Sequence, residues 1–373
     1  MRALFGGTDE PAEPTLYSEE SQPPQRLKRS EPDDSVATPA PAPPLTVEAV
    51  PSFIMGDRFF DFVRQVDMPP PRATEQPVRV PRGVRPRLQA GGNGARFGFI
   101  SGHDVVCVAF GSWKKLPLHF NHLPSCVACS GEALAVGFVS GAVYFRAESG
   151  LARQMSDLGP PGAAVVALRL ESGGEALWAA FADRVLLLRP AQDEPLAVTV
   201  RTGNATALDV SAELLAVART GGECCLFDKA TGAERGAFRT FFGAALCVAF
   251  SADGRLVAVG GEDDMATLYS VAAGGVVARC AACPGFVTSL AFAPDSRELL
   301  CLCDAQAALF RLPEAELPAA AAGTGKADVP VLPCAGYAAG FPARLSDVAW
   351  RDSFLVLALV GGVARVYSTD KKQ

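Results

Sequence analysis

Outside its first 48 residues the sequence lacks any excess of one charge. Residues 1–48 carry 4 basic and 9 acidic side chains, and the rest carry 30 and 31. A near-neutral body projects no long-range positive field, which argues against a dedicated nucleic-acid binder. Long hydrophobic runs are missing too. The longest, around Phe354–Ala364, falls well short of the ~20 residues a spanning helix needs, so no membrane association is expected. The opening MRALFGGTDEPAEP reaches acidic residues before any sustained apolar run. No secretory leader is therefore expected, and the location is expected to be cytoplasmic, nuclear or both. In that setting the 11 cysteines read as reduced thiols. Histidine is scarce, with 3 in the chain, and a Trp-Asp dipeptide does not occur.

What is present is a large apolar fraction, 49% of 373 residues, which excludes wholesale disorder. Residues 1–48 stand apart. They hold nine prolines and no sustained hydrophobic period, so they read as a disordered acidic tail that cannot offset its own ordering entropy. The basic cluster Arg26–Arg29 within it reads as a solvated charge cluster. From about residue 97 the chain becomes short strand-like runs punctuated by Gly, Asp, Asn and Pro.

Those runs repeat. LCVAFSADGRLVAVGGEDDMATLYSV (246–271) aligns with VTSLAFAPDSRELLCLCDAQAALFRL (287–312), and weaker copies lie at 126–146, 165–189, 206–228 and 345–368. Third strands centre near Tyr144, Leu187, Leu226, Leu268, Leu309 and Val366, at intervals of 43, 39, 42, 41 and 57. A unit of about 40 residues with four short strands is the period of a WD40 propeller blade. Six blades are visible between about 120 and 370. The runs 97–113, 77–80 and 52–66 supply strands for a seventh, closed by pairing of N-terminal with C-terminal strands. Closure removes the unpaired edges on which such sheets aggregate. The reading is an all-β, seven-bladed WD40 propeller over 49–370. The long interval holds 313–343, rich in Ala, Pro and Gly, and reads as a low-complexity inserted loop before the last blade.

Turn chemistry supports the blades. Asp253-Gly254 sits at a tight hairpin, and Asp263-Asp264 falls in the next turn, where a carboxylate accepts backbone amides. The aromatic slot at the end of the third strand holds Phe227, Tyr269, Phe310 and Tyr367.

Catalytic and metal-binding arrangements are poorly supported. Cys126-x-x-Cys129 and Cys280-x-x-Cys283 have zinc-like spacing, yet the first pair lies on a strand whose alternate residues face opposite sides; buried structural thiols fit better. His103-Asp104 is not accompanied by a nucleophile. Gly323-Thr324-Gly325-Lys326 lacks the first glycine and the hydroxyl of a phosphate loop. Arg79, Arg82, Arg85 and Arg87 lie among prolines and read as a solvated loop. The expectation is a non-catalytic protein with no cofactor, which leaves binding. Phe242 and Phe286 precede the first strands of successive blades, 44 residues apart, so both belong to one face. They are candidate partner-binding anchors. The pattern alone leaves open whether the rings face solvent or pack inward between blades.

The segment FFGAALCVAFSADGRLVAVGGEDDMATLYS (241–270), with its Gly-Gly-Glu-Asp-Asp core, resembles the family of WD repeat-containing protein 20, the dystrophia myotonica WD repeat protein and the fungal catabolite-repression protein CreC. PVRV (77–80), GGNGARFGF (91–99), FNHL (120–123), AVGFVSGAVYF (135–145) and DVPVL (328–332) extend the resemblance in order. Members of that family are non-catalytic propellers that bind and activate or stabilise ubiquitin-specific cysteine proteases. The resemblance implies a deubiquitinase cofactor with a CreB-like enzyme as partner and a second WD40 protein as a further candidate. Phe242 and Phe286 would correspond to the enzyme-facing aromatics, with Phe286 at a position where relatives carry Trp. The alternative is a general interaction platform or a ubiquitin-ligase substrate adaptor.

Overall fold

Each repeat is a run of β-branched, aromatic and small residues broken by Gly, Asp or Ser, a composition suited to strands buried on both faces. In the computed structural model those breaks are turns and the runs are strands. The structure describes residues 52–68, 89–90, 96–171, 173–192, 196–281, 285–303, 306–313, 329–360 and 362–369. The sequence-stretch readings at 1–48, 77–80, Arg79–Arg87, Cys283 and 323–326 lie outside them.

Seven sheets follow one another along the chain. Blade 1 comprises Gln89–Ala90, Arg96–Ser101, Asp104–Ala109 and Lys115–His119. Blade 2 comprises Pro124–Ser130, Ala133–Phe138, Val143–Arg146 and Ala152–Met155. Blade 3 comprises Ala167–Leu170, Leu177–Ala180, Arg184–Leu188 and Leu196–Arg201. Blade 4 comprises Ala205–Val210, Leu214–Arg219, Glu223–Asp228 and Glu234–Arg239. Blade 5 has Ala245–Phe250, Leu256–Gly261, Ala266–Ser270 and Gly275–Cys280. Blade 6 has Val287–Phe292, Glu298–Cys303, Gln306–Arg311 and Cys334–Ala338. Blade 7 joins Leu345–Arg351, Phe354–Leu359 and Val363–Ser368 to Arg58–Asp67 and Phe53–Met55 from the other end of the chain. No described residue is helical.

First strands of successive blades pack on one another around the axis. Each of the seven blade-to-blade interfaces holds its own hydrophobic cluster. Closure of the ring runs through Arg58–Asp67, which pairs antiparallel with Val363–Ser368.

The repeat extends to irregularities. First strands carry a bulge at the same place in blades 2, 4, 5, 6 and 7. A second bulge faces the aromatic slot, at Leu226/Phe227, Leu268/Tyr269, Leu309/Phe310 and, on the partner strand of Tyr367, Phe62/Arg64. Bulges raise local twist, which lets each sheet turn from the axis to the rim.

Two glycines explain why cysteine stands in the first strands. Gly260 pairs with Cys247 and Gly137 with Cys126. A Cβ on Gly260 would lie 2.4 Å from Val287 Cγ1 of the next blade and 2.8 Å from Cys247 Sγ. The site is filled without it. Gly260→Ala is expected to cost about 1–3 kcal/mol by overpacking, read as a lower denaturant midpoint at unchanged slope.

One expectation is corrected. The stretch 313–343, expected as an inserted loop before the last blade, contains strands at Val331–Leu332 and Cys334–Ala338. Cys334–Ala338 is the fourth strand of blade 6, pairing antiparallel with Gln306–Arg311. Val331–Leu332 pairs parallel with Gly275–Cys280 on the rim of blade 5. The excursion therefore lies within blade 6, between its third and fourth strands.

Candidate functional site

In a blade of four antiparallel strands, the second-to-third turn and the connection to the next blade emerge on the same face. Residues 240–244 connect blade 4 to blade 5, and 281–286 connect blade 5 to blade 6. Phe242 is 58% exposed and Phe286 52%, so both rings face solvent rather than the space between blades. The second-to-third turn of blade 7 adds Val360, also exposed, to that face.

The connection carrying Phe242 is fixed from both sides. Thr240 is buried; its amide donates to Gly222 O at 2.9 Å and its hydroxyl lies 3.2 Å from the same carbonyl. Gly243, at φ 70°, adopts a left-handed conformation in which a Cβ would meet Glu262 Cβ at 2.8 Å. The Ala244 amide donates to Glu262 Oε2 at 3.0 Å. The Phe241 amide donates to Asp263 Oδ2 at 2.7 Å. The Arg279 guanidinium lies 5.0 Å from the centroid of the Phe241 ring, a cation–π distance. The Phe241 ring is thus held against that guanidinium while the next ring, Phe242, stays exposed.

Asp263 is nearly fully buried. Burial pushes its carboxyl pKa up, against the amides of Phe241 and Met265 and the charge of Arg279. A carboxyl raised on folding contributes stability when protonated and loses it as pH rises from the ordinary value of 3.8 through the raised native value. Asp263→Asn is expected to remove that slope from the wild-type profile, measured by denaturant titration from pH 3.8 upward. Asp264 takes the left-handed position of the same turn, with φ 57°.

On the opposite face Asp253 closes the first turn of blade 5. Its Oδ1 accepts from the Ser251 hydroxyl at 2.6 Å and the Arg255 amide at 3.0 Å, and Arg255 Nε lies 2.8 Å from Oδ2. Burial works to raise this carboxyl, but the Ser251 hydroxyl and Arg255 outweigh it and hold the pKa below the ordinary value. Gly254 follows at φ 71°.

The remaining candidates separate. Cys126 faces blade 3 and Cys129 faces blade 1, where its sulfur lies 3.8 Å from that of Cys107. His103 Nδ1 meets Phe120 O at 3.0 Å, while Asp104 meets His119 Nδ1 at 2.9 Å. Among the described residues no group of three or more His, Cys, Asp or Glu side chains is arranged to hold a metal. Sequence reasoning missed Arg279. Its signal was a lone arginine inside the otherwise apolar outer strand GVVARC.

Fold and face together define a seven-bladed WD40 propeller that presents two exposed phenylalanines from successive blade connections. In fold the chain is similar to a chain of the crystal structure of the mitotic checkpoint complex, with a TM-score of 0.68 over 83% of this chain and 96% of that one. Identity is 15%, so the likeness is one of fold. In sequence it is similar to UBP9-binding protein bun62 of Schizosaccharomyces pombe (strain 972 / ATCC 24843), 34% identical over 80 residues. That match spans 21% of this chain and 15% of the yeast protein's length. No protein-family model matches the chain.

Proposed function

We propose that this protein is a non-catalytic WD40 scaffold that docks a ubiquitin-specific protease on the face bearing Phe242 and Phe286 and favours the enzyme's active conformation. The observation that carries the reading is the pair of solvent-facing rings on successive blade connections; the residues flanking Phe242, Phe241 and Ala244, are held by Glu262, Asp263 and Arg279. Rigid aromatic anchors bind with little loss of conformational entropy. The near-neutral composition outside residues 1–48 favours recognition by shape and apolar contact over electrostatic steering. The yeast relative's printed name, a UBP9-binding protein, supports an enzyme of this class, as does the resemblance to the WD repeat-containing protein 20 and CreC family. A propeller that binds the competent conformer more tightly shifts the enzyme toward it by that difference in affinity, with no nucleophile or base of its own. Such work would be done in the cytoplasm, the nucleus or both.

Affinity purification of the tagged chain from native lysate, followed by mass spectrometry, tests this. The expected result is a ubiquitin-specific protease in the eluate whose hydrolysis of a ubiquitin–fluorophore conjugate is faster with the propeller than without it. Ubiquitin-ligase subunits with no such protease would establish the adaptor reading instead.

A further inference from the structure

The rim of blade 5 is built differently from its neighbours. Gly275–Cys280, its fourth strand, accepts a parallel fifth strand, Val331–Leu332, brought in by the excursion of blade 6. Pairing is Arg279 with Val331 and Cys280 with Leu332. The Arg279 amide donates to Pro330 O at 2.8 Å. Leu332 and Cys334 pack against the cluster between blades 5 and 6, so the added strand is seated on core as well as on backbone.

The place of attachment is specific. Arg279 presents its backbone to the added strand and its guanidinium to the Phe241 ring, and its charge is felt by Asp263, which accepts the Phe241 amide. Phe242 is the next residue. On the other side, Cys280 is the last residue of the strand, and the chain leaves it directly into the connection that ends at Phe286. One two-residue contact thus borders the supports of both exposed rings.

We propose that Val331–Leu332 is a strap that holds the aromatic face in its binding geometry, with Arg279 as the positioning residue through which it acts on Phe242. This rests on the docking reading above. Releasing the strap loosens the strand end at Cys280 and the guanidinium over Phe241, and the rings then lose entropy on binding that they had already given up on folding.

The test uses the full chain and three substitutions, with Phe242→Ala as a fourth for comparison of binding. Leu332→Asp places a charge against the blade 5–6 cluster and lifts the strap. Arg279→Gln keeps the backbone pairing and removes the cation from the ring. Leu151→Ser changes a side chain that is 48% exposed, just ahead of the outer strand of blade 2, and serves as the control. Amide hydrogen exchange is followed in peptides covering 239–246 and 281–287, with recombinant fission-yeast Ubp9 as the binding probe. Exchange is expected to rise at least about 10-fold in both segments for Leu332→Asp and in 239–246 for Arg279→Gln, and to stay at the wild-type rate for Leu151→Ser. Affinity for Ubp9 is expected to fall about 5- to 10-fold for the first two. Unchanged exchange in Arg279→Gln overturns the proposal even if Leu332→Asp fails to fold. Loss of Ubp9 binding in Phe242→Ala but not in Arg279→Gln also overturns it while leaving the docking reading intact. A wild-type chain that does not bind Ubp9 counts against the docking reading, and the exchange rates still decide the strap.

Discussion

A chain lacking residues 52–68 is expected to lose its cooperative unfolding transition and to associate through its last blade. Those residues supply Phe53–Met55 and Arg58–Asp67, the outer strands of blade 7. Without them Val363–Ser368 becomes an open edge, and open edges recruit other chains. The packing loss is as large as the pairing loss. Phe60 is fully buried, stacked on Phe53 at 5.0 Å and set edge-on to Trp350 at 5.6 Å, and Phe53 also meets Tyr367 at 4.8 Å. Arg58 adds a guanidinium 5.1 Å from the Trp350 ring and an ion pair to the buried Glu298 at 2.6 Å. Losing Arg58 leaves the buried Glu298 carboxylate with only the longer contact to Arg311 Nε, at 3.9 Å. Phe60→Ala alone is expected to cost about 3–5 kcal/mol. Differential scanning calorimetry and light scattering read the two effects separately, and a truncated chain that melts cooperatively as a monomer contradicts this account of closure.

Alanine at both Phe242 and Phe286 is expected to weaken protease binding at least about 100-fold with little change in thermal midpoint. If each ring is an anchor, its truncation is expected to remove about 2 kcal/mol of binding, or about 30-fold, and neighbouring anchors do not add exactly. Neither ring is buried in the free protein, so stability is expected to move by no more than about 0.5 kcal/mol. The split separates an anchor from a core residue. Isothermal titration against the co-purified protease, beside a melting curve, measures both. A large fall in melting temperature would mean that the rings support the fold.

The blades were legible because the repeat has a physical cause. Each second strand must pair with its first and third, and each aromatic slot must meet a bulge, so the pattern recurs at Phe227, Tyr269, Phe310 and Tyr367. Closure could be read from the unpaired strand-like run at 52–66. The rim strap could not. Two residues in a Pro- and Ala-rich stretch carry no period, and a parallel pairing across blades leaves no local trace; only DVPVL hinted that 328–332 was constrained. The orientation of Phe242 was undecidable for a different reason. Phe241 and Phe242 are adjacent in a bend, where no strand period applies, and Phe241 is held by Asp263 and Arg279, which lie 22 and 38 residues from it.

The proposed seat of a ubiquitin-specific protease is the face bearing Phe242 and Phe286. Its most direct test is site-specific photocrosslinking in native extract, with p-benzoylphenylalanine replacing one residue at a time at Phe242, Phe286, Phe59 and Tyr337, all exposed on the free protein. A crosslinked ubiquitin-specific protease is expected from positions 242 and 286 and none from 59 or 337. Capture of the enzyme from 59 or 337, with none from 242 and 286, would contradict it.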